Sequence, residues 1–317
     1  MSDPSAPKYR SEFLLTFKSV DRFMFRISDL HELDDSVSEG LVTRLHDCHI
    51  YLPGKRPLIS VLPESIEVSD DLVRFVVEYK REGIPYQSPV EIPRKHFTLE
   101  EVSFEASPYP RHELVTRDAN GVVFAHTFLS NYVDFMTEVP QWAKDLEVKY
   151  VGKGLRRSAN DRLANHPTLQ KIQAKIHTND PDSELFAIVH AFSYQKDVLT
   201  IDAVLPEIIG EPSRQRTQKV LAYKPSLDEQ VSLIEATVIA YFKPAEFNRQ
   251  YLDFPKPQQR ILRNVQHADF AALAVYLDNT NLGGPRLYSK TVAPSLLHEI
   301  VVDFRDREGR FSHFRRY

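Results

Sequence analysis

Residues 149–167, KYVGKGLRRSANDRLANHP, decide how the middle of the chain folds. The run LEVKYVG, which ends at Gly152, predicts a short strand followed by a polar turn. Ser158 or Asn160 can cap a helix after this turn, and Pro167 is expected to kink or divide it. The apolar positions of that helix recur at helical spacing, at Leu163, Leu169, Ile172 and Ile176.

The same region carries an unusual excess of positive charge. Its basic residues are Lys149, Lys153, Arg156, Arg157, Arg162, Lys171 and Lys175. Asp161 is the only acid between residues 149 and 175, although the chain as a whole has a formal charge of −4. This local excess predicts that a negatively charged group is held here.

Two further elements follow along the chain. ELFAIVHAFSY (184–194) and VLTIDAVL (198–205) predict strands, with His190 expected as a satisfied core histidine on the face of Phe186. LDEQVSLIEATVIAYF (227–242) predicts a helix, because Ser226 and Glu229 form a capping box before it and Pro244 follows it.

The flanking regions have a different pattern. Short β-rich runs fill residues 13–123, among them LVTRLHDCHIYL (41–52), and the C-terminal region combines a mixed segment with a β-like tail. We therefore predict an α+β protein with a β-rich N-terminal domain (1–125), a small mixed αβ domain (126–255) and a C-terminal extension (256–317).

Composition excludes several classes of protein. The 317 residues include 42% hydrophobic residues, which is enough for a sizeable core and argues against disorder. The apolar runs are too short to cross a bilayer, and residues 1–12 have no apolar signal-peptide core, so we expect no membrane role. The single Cys48 excludes an internal disulfide and a multi-cysteine metal site, and favours a cytoplasmic location.

Glu235 is the residue that most needs explaining. It lies within the apolar run of the 227–242 helix, so its carboxylate should be partly buried, which is costly without a cation or hydrogen-bond donors. One interpretation is an ion pair with a Lys or Arg of the basic region. The other is that Glu235 binds a divalent metal, since one carboxylate with waters and a phosphate is a usual way to hold Mg²⁺.

Two more groups could act on a phosphate. Arg162 and His166 are four residues apart and would share one helix face, from which a guanidinium can bind phosphate with two hydrogen bonds. The alternative for this pair is a solvated helix face. Tyr150 stands where the predicted strand meets the turn, a position that is usually core or rim.

Together, these segments resemble the GIY-YIG nuclease domain. The resemblance lies in YVGKG (150–154), RLANH (162–166) and LIEATVIAYFKPAEFN (233–248), in that order, and covers about residues 130–250. It implies a metal-dependent endonuclease that hydrolyses phosphodiesters of nucleic acid, with DNA favoured over RNA and Mg²⁺ or Mn²⁺ as cofactor.

The resemblance also implies roles for individual residues. Tyr150 would be the general base or would position the water, Arg162 would stabilise the charged transition state, and Glu235 would bind the metal. The supporting groups would be His166, as a further catalytic residue, and Lys153, Arg156, Arg157 and Asn248, as substrate-binding residues.

The sequence departs from the family pattern at two points. No Gly-Ile-Tyr precedes Tyr150 by the usual ten or so residues, and the nearest substitute, Tyr132-Val133-Asp134, lies at a longer spacing. The interval from Tyr150 to Arg162 is also longer than usual, so Arg156 or Arg157 could take the catalytic role. The alternatives are therefore a non-catalytic module of this fold that binds nucleic acid or a protein, including a second copy of itself, and an unrelated α+β enzyme.

Overall fold

The computed structural model describes residues 11–28, 39–94, 102–133, 136–154, 167–200, 211–256, 258–282 and 284–304. Within these residues the chain is an α+β protein, as the sequence predicts. The helices are α1 (Glu39–His46), α2 (Gln141–Lys144), α3 (Pro167–Asn179), α4 (Glu211–Ala222), α5 (Leu227–Phe242) and α6 (Arg263–Ala268). No helix among them is long and apolar enough to span a membrane.

The strands are β1 (Ser11–Arg26), β2 (Ile50–Pro57), β3 (Ser60–Val61), β4 (Glu67–Val68), β5 (Leu72–Arg81), β6 (Ile84–Pro93), β7 (Ser103–Ala106), β8 (Glu113–Arg117), β9 (Val123–Phe128), β10 (Leu146–Val148), β11 (Gly152–Lys153), β12 (Ser183–Thr200), β13 (Ala272–Asp278), β14 (Leu287–Ser289), β15 (Val292–Ser295) and β16 (Leu297–Asp303). Nine of them form the main sheet, in the order β15-β14-β10-β2-β12-β1-β13-β16, with β11 also paired to β2.

The long strand β12 organises this sheet. It pairs antiparallel with β1 on one side and with β2 on the other, and β1 in turn pairs parallel with β13. The predicted alternation of β12 is confirmed, because Phe186 and Ile188 enter the cluster that contains α5, whereas Ala187 and Val189 enter the cluster that contains Leu169 of α3. His190 is fully buried, as expected.

Helix α5 is the central helix of the larger cluster. Its predicted cap is confirmed, since the backbone N–H of Glu229 donates to Ser226 Oγ at 3.3 Å. The helix ends at Phe242, before Lys243 turns the backbone into the left-handed region at φ 49° and Pro244 follows. Nine of its sixteen residues are buried, and each large aliphatic side chain so buried contributes about 1.5–3 kcal/mol to stability.

Residues 58–145 form a module inserted between β2 and β10. It contains a small sheet of β3, β5 and β4 with β6 paired to β5, and a second sheet in the order β7-β8-β9, around a core of its own. The fully buried Arg56 joins the module to the main sheet, because its guanidinium donates to the backbone oxygen of Ser130 at 2.5 Å and to Glu184 Oε1 at 3.4 Å. Asp145 makes a second junction through two hydrogen bonds from Arg286.

The structure differs from the sequence predictions in three places. The runs 184–194 and 198–205, predicted as separate strands, share the single strand β12 as far as Thr200, and residues 201–205 lie outside the described residues. Residues 39–46 form helix α1 where the run 41–52 predicts strand, because this segment docks on β1 through Arg44, which makes two hydrogen bonds to Asp21 and stacks over Phe23. The main sheet also takes strands from all three predicted segments, so strand pairing crosses both predicted boundaries, near residues 125 and 255.

Candidate functional site

The segment around Tyr150 is held against strand β2. The backbone N–H groups of Lys149 and Tyr150 both donate to the oxygen of Pro53, at 2.9 and 3.3 Å, and Gly152 then pairs with Tyr51. A Cβ at Gly152 would lie 2.4 Å from the Tyr51 ring, closer than real Cβ contacts. Glycine is therefore required here by the close approach of the two strands.

Tyr150 packs beside Tyr51. The ring centroids are 6.1 Å apart and tilted by 42°, and both rings belong to the cluster that contains Leu169 of α3. Tyr51 is buried, whereas Tyr150 is partly exposed. The two tyrosines thus lie side by side, Tyr51 on β2 and the partly exposed Tyr150 in the link between β10 and β11.

Glu235 faces Lys153. Its carboxylate lies 3.3 Å from Lys153 Nζ, with 13% of the Glu235 side chain and 26% of the Lys153 side chain exposed. Lys153 Nζ also donates to Ser232 Oγ at 2.7 Å, one helical turn from Glu235 on α5. The ion pair predicted as one interpretation of Glu235 is therefore present, and its basic partner comes from the quoted segment.

Asn248 fixes the backbone between Tyr150, which packs beside Tyr51, and Lys153, which contacts Glu235. Its Oδ1 accepts from the N–H of Val151 at 2.9 Å and its Nδ2 donates to the oxygen of Val151 at 2.8 Å. The residue is buried, with 6% of its surface exposed. The geometry thus gives Asn248 a positioning role for residues 150–153, which differs from the substrate contact that the resemblance implies.

Acids from outside the basic region neutralise much of its described part. Lys175 contacts Glu246 at 2.5 Å, and Lys149 lies 3.6 Å from Glu246 and 3.2 Å from Glu147. The hydrogen bond from Lys175 and the charges of both lysines hold the pKa of Glu246 below its usual value. Glu147, Glu235 and Glu246 are thus negative groups that this region holds.

Four predicted site residues, Arg156, Arg157, Arg162 and His166, lie outside the described residues. Of the others, the structure brings Lys153 and Glu235 into contact and ties Asn248 to Val151, while Tyr150 lies with Tyr51. Within the described part of the chain no group of three or more His, Cys, Asp or Glu side chains could hold a metal ion. A metal at Glu235 would need waters or a phosphate as its other ligands.

Tyr51, the tyrosine that lies beside Tyr150, is not among the residues that the sequence singles out. Tyr132, the tyrosine nearest before Tyr150 in the sequence, lies elsewhere. The structure places Tyr132 in the inserted module, on the wall of a cleft and after a 3₁₀ turn at 129–131. The signal that could have identified Tyr51 is the apolar pair Ile50-Tyr51 at the end of a β-rich run, far upstream in the sequence.

Comparison of the chain with protein-family models, curated proteins and solved structures finds no match.

Proposed function

We propose that this protein is a metal-dependent endonuclease of GIY-YIG type that cleaves nucleic acid, with DNA as the favoured substrate. The observation that carries the proposal is the convergence of three segments: β11 pairs with β2 at Tyr51, and Lys153 of β11 contacts Glu235 of α5. This contact brings the YVGKG segment and the EATVIAYF helix, the two ends of the sequence resemblance, to one place.

The order of elements supports the proposal. Strand β2 lies between β10–β11 and β12 and is antiparallel to all of them, and the helices α3 and α5 come after the YVG segment. His49-Ile50-Tyr51 then supplies the strand and the tyrosine that the family pattern places before Tyr150. The spacing is unusual because the module of residues 58–145 is inserted between the two strands.

The donor set fits a magnesium ion only in part. Glu235 supplies one carboxylate, and Mg²⁺ is commonly held by one or two carboxylates together with waters and substrate phosphates. The ammonium of Lys153 already neutralises this carboxylate, so a divalent cation competes with Lys153 for it. A bound phosphate relieves the competition, because it offers Lys153 another anion.

Each residue of the candidate site then has its own role in the proposed reaction. A metal on Glu235 would polarise the phosphoryl group. Tyr150, whose ring is partly exposed, positions or deprotonates the attacking water, and Lys153, beside Glu235, binds a phosphoryl oxygen. Arg162 is assigned to the developing charge on the phosphate by the resemblance alone.

The proposal is tested by cleavage of supercoiled DNA, linear DNA and structured RNA with Mg²⁺ or Mn²⁺. Glu235→Gln keeps the size of the side chain but removes its charge, and we expect it to lower the cleavage rate by about 100-fold or more. Glu246→Gln is the matched control, since Glu246 is also paired with lysines of the basic region, and it should leave the rate within about threefold of the parent.

Binding measured in parallel separates the enzyme from a binding module. Cleavage that needs metal and is lost in Glu235→Gln and Arg162→Ala, with the fold retained, would support the nuclease. The neutralisation of Glu235 by Lys153 favours the alternative, a module of the same fold that binds without cutting. That alternative predicts no cutting of any substrate, together with salt-sensitive binding that Arg162→Ala weakens.

A further inference from the structure

The inserted module contains an apolar cleft of about 800 Å³, within the size range of ligand pockets. Strand β6 lines one side of the cleft and strand β9 lines the other. Buried side chains from both small sheets form its floor, among them Phe75, Val90 and Leu114. The cleft thus separates the outer edges of two sheets.

The free edge of β6 is closed to strand addition. The backbone N–H of Arg94 donates to Asp71 on the β5 side, so the N–H positions that face away from β5 are residues 85, 87, 89, 91 and 93. Three of these five are Pro85, Pro89 and Pro93, which have no N–H to donate. Proline on the outward positions of an edge strand prevents pairing with another chain.

The free edge of β9 is different. The N–H of Leu129 donates to the oxygen of His112 on the β8 side, so His126 and Phe128 present their backbone groups away from β8, whereas Phe124 lies at a β-bulge where the register with β8 shifts. No proline occurs from 122 to 129, and no described strand pairs with this edge. Val122 and Phe124, at the start of the strand, are 61% and 55% exposed.

We propose that the free edge of β9 binds an extended segment of a partner protein as a fourth strand of the β7-β8-β9 sheet. The backbone of the segment pairs with residues 126–128, beyond the bulge, and its apolar side chains, at every second position, enter the cleft. The exposed carboxylate of Glu138 at the cleft favours a basic residue in the partner segment.

The test uses a display library of random linear nine-residue peptides, selected against the whole protein. Peptides with apolar residues at alternate positions and at least one Lys or Arg should be enriched. An enriched peptide is then synthesised in three forms: one unmodified, and two that are N-methylated at every second residue, each on one of the two alternating sets. Methylation of the set that faces β9 should weaken binding about fivefold or more, because each such group removes a backbone hydrogen bond, whereas methylation of the other set should not.

A pair of protein variants tests the same edge by altering β9 in place of the peptide. His126→Pro removes the outward N–H, while the β8–β9 hydrogen bonds lie on the other edge and stay intact. His126→Ala is the matched control, because it loses the same imidazole contact with Glu113 but keeps the N–H. We expect His126→Pro to bind the peptide about fivefold more weakly than His126→Ala, at equal unfolding temperature.

Three outcomes would overturn the proposal. The first is a selection that enriches no peptides, and the second is equal binding of the peptide after either set of methylations. The third concerns a fluorescent dye such as anilinonaphthalene sulfonate. If the dye binds in competition with every enriched peptide, and binds His126→Pro as tightly as the parent protein, the cleft is a small-molecule site. If His126→Pro does not fold, the methylated peptides still decide the question with the unaltered protein.

Discussion

Two buried histidines should make this protein sensitive to mild acid. His190 is fully buried on β12, accepts or donates one hydrogen bond between Nδ1 and Ser19 Oγ at 2.9 Å, and has no described partner for Nε2. Burial, with a smaller contribution from the charge of Arg22, lowers the pKa of His190 to about 3. Burial likewise lowers the pKa of His298 to about 4.

The lowered pKa values of the two histidines mean that acid destabilises the folded protein. The folded protein keeps both imidazoles neutral well below pH 6.5, whereas the unfolded chain binds protons there, so protonation favours unfolding. The stabilising contribution is fully present above pH 6.5 and is lost as the pH falls from 6.5 towards the folded-state values. Because both folded-state pKa values lie below 5, each histidine should cost about 2 kcal/mol between pH 7 and pH 5, or about 4 kcal/mol together, out of a typical total of 5–15 kcal/mol.

Urea unfolding at pH 7 and pH 5 measures this loss. The fluorescence of Trp142, the single tryptophan, reports the transition. The parent protein should lose about 4 kcal/mol between the two pH values, and His190→Gln, which does not titrate, should lose about 2 kcal/mol less. The pKa of Glu184 is raised by burial and acts with the opposite sign, but it does so in both proteins, so their difference isolates His190. An equal loss in the parent and in His190→Gln would refute the reasoning.

Two further predictions concern the junction between β2 and the YVG segment. Gly152→Ala should lower the free energy of unfolding by about 1–3 kcal/mol, because its Cβ would overlap the Tyr51 ring, whereas Gly54→Ala, whose Cβ would lie 3.3 Å from a backbone oxygen, should cost less in the same urea titration. Asn248→Ala should cost about 1–3 kcal/mol by leaving the N–H and oxygen of Val151 without these bonds, and hydrogen exchange of the Val151 amide should accelerate; an unchanged exchange rate would exclude the clamp.

Local chemistry explains which parts of the fold could be predicted from the sequence. Helix α5 has a capping box and a following proline, and β12 has a two-residue alternation over a long run, so both signals are contained in the elements themselves. Helix α1 has no such signal, because it is held by contacts with distant elements: Leu45 is buried in the cluster beside β12, and Arg44 pairs with Asp21 of β1. The order of the main sheet likewise depends on pairings between residues that are distant in sequence, such as Phe17 with Tyr194.

The candidate site, like the fold, could be predicted from the sequence only in part. The burial of Glu235 and the need for a cation beside it follow from the apolar character of α5, and Lys153 lies in the segment where a partner was expected. The pairing of Lys149 with Glu246 could not be predicted, since the charge of a segment says nothing of the acids that other elements bring to it. The local excess of basic residues therefore overstated the positive charge that the described lysines leave without an acidic partner.

The inserted module separates, in the sequence, two strands that are neighbours in the main sheet. The chain leaves the main sheet at Pro57 and returns at Leu146, and the strands on either side are direct neighbours, with Lys55 opposite Glu147 and Tyr51 opposite Gly152. The two ends of the module are thus held together by the sheet itself, and because loop-closure entropy grows slowly with length, an insertion there disturbs the pairing little. A motif defined by the number of residues between two strands is lost on such an insertion, although the contact between the strands is kept. Tyr51 and Gly152 lie opposite each other at this contact, and a Cβ at residue 152 would overlap the Tyr51 ring, so glycine lets the two strands pair there.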